Sequence, residues 1–181
     1  MTPDKKIAKC ITDNPEQGFG MLVREYQRPV YWHIRRMVVS HDDAQDVAQE
    51  TFLRVFKAFG TYRTDMPLRT WLFSIATNEC LRLLGSRKGK IMASLDDTTP
   101  ELLGVESDAY FDYSDELSVK MQRAIHSLPI KQQLAFNFRY YDELSYREIA
   151  VITQSTEANV KANYHIAKEK ITDYMKKHIV I

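Results

Sequence analysis

The sequence has 181 residues, of which 44% are hydrophobic and 27% charged, with a formal net charge of +1. This apolar content excludes a disordered chain, and the length suits one ordinary domain or two small ones. Because no run of about 18 apolar residues occurs and the first residues lack the apolar stretch of a secretory signal, we predict a cytoplasmic protein without direct membrane insertion. Cys10 and Cys80 have neither CxxC spacing nor nearby histidines, so no metal site and no other cofactor is predicted.

Charge is unevenly distributed along the chain. Residues 91–119 contain no Lys or Arg but eight of the 24 acidic residues, so the rest of the chain holds 25 basic against 16 acidic residues. Two basic segments on either side of an acidic one are typical of a protein whose basic segments bind a polyanion. The acidic segment is then a solvated linker between them. A merely soluble protein would show the same pattern, so charge alone leaves the choice open.

Helical periodicity begins after residues 1–15, for which no role is predicted. Apolar residues spaced by three and four predict a first helix over 16–38. Ser40 and Asp42 offer N-caps for a second helix, and Gly60 is predicted to end it as a left-handed C-terminal cap. The aromatic and aliphatic residues predicted to face inward near its end are Phe52, Val55, Phe56 and Phe59.

A third helix is predicted from about Leu68 to Leu84, closed by Gly85 and a short basic tail. Residues 91–116 have no sustained period, and four further helical segments follow them. No strand pattern appears. We therefore predict an all-α fold of two small helical domains, 1–90 and 117–181, joined by an acidic flexible linker over 91–116.

The segment from Leu144 to Ala150 predicts a helix start with a capping box, in which Ser145 and Glu148 exchange hydrogen bonds. A four-residue connection and a cap at Thr156 then lead into another helix, which is the geometry of a helix-turn-helix. Asn and Lys on its exposed face are suited to bases and phosphates. An ordinary helical hairpin with a solvated polar face is the alternative.

This segment, Leu144-Ser-Tyr-Arg-Glu-Ile-Ala150, resembles the promoter-reading helix-turn-helix of extracytoplasmic-function (ECF) sigma factors of the sigma-70 type, and similar helices occur in LuxR-type regulators. The family usually has Gly where Gln154 stands, so the turn must accommodate a side chain here. The resemblance implies that the second domain reads the minus-thirty-five promoter element. The residues it assigns to that role are Ser145, Tyr146, Glu157, Asn159, Lys161, Asn163, His165 and Lys168.

A second, independent motif runs from Asp43 to Arg54 and continues from Arg69 to Asn78. It resembles the family's domain for core-polymerase binding and promoter melting. Without the resemblance, the outward-facing residues of the second helix form a mixed polar and apolar stripe. Such a stripe is compatible with a protein interface or with a solvated face. The resemblance implies docking on the clamp helices of the polymerase's largest subunit, through Asp46, Gln49, Glu50, Leu53 and Arg54.

Promoter melting needs no covalent chemistry, because unpaired bases are held on aromatic or polar surfaces while basic side chains hold the phosphates. The resemblance implies that one loop receives a flipped base of the minus-ten element and that the third helix follows the backbone. The loop residues are Tyr62, Arg63, Thr64, Asp65, Met66 and Leu68. The residues along and after the helix are Arg69, Asn78, Arg82, Arg87 and Lys88.

The two motifs in this order predict a sigma factor, which binds core RNA polymerase and promoter DNA and is not an enzyme. The scattered histidines and the lack of a phosphate loop or nucleophile elbow disfavour catalysis. A LuxR-like regulator and a polymerase-binding adaptor that does not read promoters are the alternatives. The resemblance also implies an anti-sigma factor as partner, in this family often a membrane-bound one.

Overall fold

The computed structural model describes residues 1–38, 40–88 and 116–179, with the side chains of 86–88 left out. The described residues form helices and connecting turns, with no strand among them. Apart from Glu116, the predicted acidic linker lies outside the described residues. The helices are α1 (Pro3–Asp13), α2 (Pro15–Val38), α3 (His41–Ala58), α4 (Leu68–Lys88), α5 (Glu116–His126), α6 (Ile130–Tyr140), α7 (Tyr146–Thr153) and α8 (Glu157–His178).

Helix α1 was not predicted from the sequence. The Thr2 hydroxyl accepts a hydrogen bond from the Lys5 amide at 3.4 Å and caps the helix, and Pro3 occupies its first turn. Ile7 and Ile11, one turn apart, are buried against α2. The cap and the apolar spacing are present in the sequence. Two isoleucines in an 11-residue helix, however, are too few for periodicity to distinguish a helix from a loop.

Two glycines do not end helices as predicted. Helix α3 ends at Ala58 and runs into a 3-10 turn over Phe59–Thr61 that contains Gly60, so the predicted left-handed cap is wrong. The hydroxyl of Thr61 donates to the Ala58 carbonyl at 2.7 Å and satisfies it without a glycine cap. Helix α4 continues through Gly85 to Lys88, because one glycine costs a helix only about 1 kcal/mol.

The two halves of the chain share one hydrophobic core. Side chains from α2 and α4 pack with Phe138 on α6 and with Leu144 and Ile149 around the start of α7, all of them fully buried. A smaller second core lies between α5, α6 and α8. The first half therefore packs directly against the second, through α4 and α7 above all.

His33 lies at this junction and has no exposed surface. Its Nε2 is 2.9 Å from the Thr77 hydroxyl on α4, and its ring stacks on Phe138 at 4.5 Å between centroids. Burial lowers the pKa of His33 to about 3, so the imidazole is neutral. A neutral aromatic ring can thus fill the core between the halves.

Within the described residues, no helix combines the length and the apolar character needed to cross a bilayer.

Candidate nucleic-acid and protein interfaces

The predicted polymerase-binding residues lie on α3, which starts at a cap where the Ser40 hydroxyl accepts from the Asp43 amide at 3.4 Å. The structure brings Asp46, Gln49 and Leu53 to the outside of this helix. Leu53 is 47% exposed, a large fraction for a leucine in a folded domain. These three side chains form a polar and apolar surface that is open to a partner.

Phe56 adds to this surface, although the sequence placed it inside. The side chain is 51% exposed, and its ring meets Phe19 of α2 edge to face at 5.2 Å between centroids. The two rings border a groove of about 1020 Å³ between α2 and α3 that Gln49 and Leu53 also line. Periodicity placed Phe56 in a broad inward stripe, but α2 covers only part of that stripe.

Glu50 and Arg54 are tied to α4 by a cluster of four charges. Arg54 lies 3.1 Å from Glu50 and 2.5 Å from the nearly buried Glu79 of α4. Arg82 is 2.6 Å from Glu79 and 3.8 Å from Glu50. Because Arg82 belongs to the predicted minus-ten residues, the cluster joins the predicted polymerase and minus-ten surfaces across the α3–α4 contact.

The loop before α4 is closed by Tyr62, whose hydroxyl donates to the Met66 carbonyl at 2.9 Å. The Tyr62 ring packs on Trp71 at 5.1 Å, and burial raises the pKa of its hydroxyl, which stays protonated. The loop residues Arg63, Thr64 and Asp65 are exposed. Leu68 is only 1% exposed, so it belongs to the core and lies at the base of the loop.

The predicted minus-ten residues of α4 do not share one face. Arg69 and Asn78 are nine residues apart and so lie on opposite sides of the helix. Arg69 turns toward α7, while Asn78 and Arg82, one turn apart, are both exposed. The side chains of Arg87 and Lys88 lie outside the described residues.

The predicted helix-turn-helix is formed by α7 and α8. Both hydrogen bonds of the capping box between Ser145 and Glu148 are present, at 3.2 and 2.9 Å. Gln154 ends α7 in the left-handed conformation, with φ 52° and ψ 48°. The Thr156 hydroxyl accepts from the Asn159 amide at 3.1 Å and starts α8. The turn therefore keeps the backbone that glycine favours, with a glutamine side chain in place.

Most predicted residues of α8 are exposed. Tyr146, at the start of α7, is half-buried beside Tyr164, and Lys168 lies 5.4 Å over the ring of Tyr164. Asn163 is half-buried next to a small void between α6, α7 and α8, so it is less exposed than predicted. The exposed members of the predicted set are Ser145, Glu157, Asn159, Lys161, His165 and Lys168.

Ion pairs join the two halves beside these surfaces. Arg69 donates from Nε and Nη2 to the two carboxylate oxygens of Glu148, at 2.7 and 2.9 Å. Arg36 of α2 lies 3.2 Å from Asp142, between α6 and α7. The Arg69 pair brings a predicted minus-ten residue against the first helix of the helix-turn-helix.

Comparisons with known proteins place both halves of the chain. Sigma-70 region 2 matches residues 22–89 and Sigma-70, region 4 matches residues 118–171. The chain is 30% identical over 177 residues to the ECF RNA polymerase sigma-E factor of Escherichia coli K12, which covers 93% of this chain and 92% of that protein. It is 29% identical over 177 residues to the RNA polymerase sigma-H factor of Pseudomonas aeruginosa, covering 93% of this chain and 91% of that one.

Solved structures show the same fold. CnrH, solved in complex with the cytosolic domain of CnrY, superposes with a TM-score of 0.74 at 18% identity and covers 98% of this chain and 100% of its own. The sigma factor RpoE of Bartonella quintana, solved with the anti-sigma factor NepR, gives a TM-score of 0.66 at 17% identity, covering 89% of this chain and 98% of its own. At these identities the likeness concerns the fold alone.

Proposed function

Because this chain belongs to the extracytoplasmic-function family of sigma-70 type RNA polymerase sigma factors, which direct transcription initiation and are not enzymes, we propose how its surfaces divide that task. The domain of residues 1–90 binds core polymerase and the minus-ten element. The domain of residues 117–181 reads the minus-thirty-five element, and the acidic segment 91–116 links the two.

The main support for the proposed polymerase surface is the exposure of Leu53 and Phe56 beside the groove between α2 and α3. A soluble chain rarely leaves such an apolar patch uncovered without a partner. Asp46 and Gln49 supply a polar rim, as in typical protein interfaces. We assign this surface to the clamp helices of the polymerase's largest subunit, with Glu50 and Arg54 supporting it from the charge cluster.

The minus-ten element binds at the loop that Tyr62 closes and along the exposed side of α4. Exposed Arg63 supplies charge for the backbone, and Asn78 and Arg82 continue that path one turn apart. Arg69 is available for DNA only after it leaves Glu148. A contact between Arg69 and DNA therefore requires the two halves to separate at this ion pair.

The minus-thirty-five element binds at the exposed face of α8. Asn159 and Lys161 lie within the first two turns of the helix, the part that a helix-turn-helix inserts into the major groove. Lys161 contacts phosphate or guanine, and Asn159 is suited to adenine. Asn163 is turned partly into the protein and contributes less.

An anti-sigma factor is the proposed inhibitory partner. It is supported by the fold likeness to RpoE, which was solved with the anti-sigma factor NepR. Such a partner covers the α2–α3 groove or the DNA surfaces. Because the polymerase and promoter DNA are its working partners, the protein functions in the cytoplasm.

The polymerase surface is tested by Leu53→Arg, with Val151→Arg on α7 as the matched control, since the two side chains are 47% and 45% exposed. We expect L53R to weaken binding to purified core polymerase at least tenfold, while V151R binds as the wild type does. Circular dichroism shows whether both variants keep their helices. A folded L53R protein with wild-type polymerase affinity would remove α3 from the interface.

Promoter reading is tested by transcription from a genomic promoter library with core polymerase, with and without the protein. Initiation at a shared pair of motifs is expected. Lys161→Ala should then weaken the minus-thirty-five contribution and reduce the salt slope of binding by about 1. Binding to core polymerase without initiation at any promoter would favour the adaptor alternative instead.

A further inference from the structure

A cavity of about 530 Å³ lies between α1 and the loop that precedes α4. The loop contributes Tyr62, Thr64, Asp65, Met66, Pro67 and Leu68 to its wall. The opposite wall is one face of α1 with its N-cap residue, formed by Thr2, Asp4, Lys5, Ala8, Lys9 and Thr12. The match to Sigma-70 region 2 starts at residue 22, so this second wall lies outside the matched segment.

Helix α1 is held firmly in place, so its side chains have defined positions. Ile7 and Ile11 are buried against α2, and the Tyr26 hydroxyl donates to the Asp4 carboxylate. Gly18 of α2 lets the backbones approach closely, since a Cβ there would lie 2.5 Å from the Ile11 nitrogen. These contacts fix α1 at both ends against the domain.

The positive charges of the two lysines in this wall, Lys5 and Lys9, are not compensated by ion pairs within the described residues. Both are exposed, and within the described residues neither ammonium group has an ion-pair partner. The two carboxylates that line the cavity are engaged with other residues, Asp4 with Tyr26 and Asp65 with Arg63 at 3.6 Å. Lys5 and Lys9 are therefore free to meet an anion that enters the cavity.

We propose that Lys5 and Lys9 of α1 are DNA-binding residues, which hold the phosphates on either side of the unpaired minus-ten base that enters this cavity. This inference rests on the proposed minus-ten role of the loop and adds a second wall to that site. The cavity lies in the range of about 300–1000 Å³ that is usual for ligand pockets and has room for one nucleotide. The Tyr62 ring, backed by Trp71, offers the aromatic surface for the base.

The ligand is single-stranded DNA because its chemistry matches both walls. A base needs a flat aromatic or apolar surface and a few polar groups, which Tyr62, Met66 and Thr64 supply. Its flanking phosphates need cations beside the cavity, and the loop over 62–67 has one basic residue, Arg63, which does not line the cavity. Duplex DNA is excluded from a cavity of this size because its bases remain stacked.

The test uses the complex of the full chain with core polymerase and a fluorescein-labelled single-stranded oligonucleotide that carries the non-template minus-ten sequence from the library experiment. The variants are Lys5→Gln and Lys9→Gln, with Lys6→Gln as control. Lys6 is exposed on the same helix but does not line the cavity. A second oligonucleotide series replaces each minus-ten base in turn by an abasic site.

We expect K5Q and K9Q each to weaken binding about threefold to tenfold and to lower the salt slope by about 0.7, the value for one phosphate contact on a single strand. K6Q should bind within twofold of the wild type. The abasic scan should identify one position whose loss weakens wild-type binding.

The other outcomes distinguish failure of the lysine inference from failure of the proposed minus-ten role of the loop. If K5Q and K9Q bind as K6Q does while one abasic site still weakens binding, the lysine inference is wrong and the minus-ten role of the loop stands. If K6Q weakens binding as much as the others, the effect is general charge and the inference is also wrong. If neither the abasic scan nor Arg63→Ala changes affinity, the proposed role of the loop fails together with it.

Discussion

Arg69 and Glu148, 79 residues apart in the sequence, form a bidentate ion pair that joins α4 to the N-terminal cap of α7. Glu148 serves two purposes, because its Oε2 also accepts from the Ser145 amide in the capping box. The Thr70 hydroxyl also donates to Oε1, at 3.3 Å. One carboxylate thus links the start of the helix-turn-helix to the proposed minus-ten surface.

Glu148→Gln should loosen the contact between the halves without melting α7, since glutamine also completes a capping box. Because the Arg69 side chain is 40% exposed, we expect the loss to be about 1 kcal/mol. Small-angle scattering should show a larger radius of gyration for E148Q. Glu143→Gln, an exposed neighbour, serves as control. An unchanged radius would mean that the apolar core holds the halves together without this pair.

Gln154→Gly should stabilise the protein. A non-glycine residue in the left-handed region, such as Gln154, destabilises the folded state by about 1–2 kcal/mol. Glycine would remove this strain, but its greater conformational freedom in the unfolded chain offsets part of the gain. We expect a net gain of about 0.5–1 kcal/mol, seen as a rise of a few degrees in melting temperature. Gln154→Ala keeps the strain and should show no gain, and equal behaviour of both variants would argue against the left-handed turn.

Two glycines of α2 should respond oppositely to alanine. At Gly18 the new Cβ would lie 2.5 Å from the backbone of Ile11, so α1 must move, which costs about 1–3 kcal/mol. At Gly20 nothing lies within 4 Å, and the gain in helix propensity should stabilise by up to about 1 kcal/mol. Urea unfolding of the two variants measures the difference. A neutral Gly18→Ala would show that α1 does not pack closely on α2.

Stability should fall as the pH drops from about 6.5 toward 4. Burial lowers the pKa of His33 to about 3 and that of His126 to about 4, so both take up protons in this window only when unfolded. Asp142 opposes them, because burial raises its pKa to about 6 and the folded state binds its proton first. The net difference of about one proton corresponds to about 1.4 kcal/mol per pH unit.

Urea unfolding at pH 7, 6 and 5 checks this balance with two variants. Asp142→Asn removes the opposing group, so its stability should fall more steeply between pH 6 and 5. His126→Gln removes one of the buried imidazoles, so its stability should fall less. If all three proteins show the same pH dependence, neither group titrates differently in the folded and unfolded states.

The local elements of this protein were predictable because short-range chemistry determines them. The caps at Ser40, Ser145 and Thr156 are hydrogen bonds between residues three apart, and the resulting helices begin where the sequence predicts. The two motifs, each within a single helix or helix pair, likewise led to the family that the comparisons confirm.

Only the tertiary structure decided how much of each helix is covered and which distant residues meet. Phe56 is exposed because α2 leaves part of α3 uncovered, and Lys5 lines a cavity because α1 folds back beside the loop of Tyr62. The pairing of Arg69 with Glu148 likewise depends on how α7 packs against α4. Periodicity specifies the direction in which a side chain points along its own helix, whereas its neighbours depend on packing between elements far apart in the sequence.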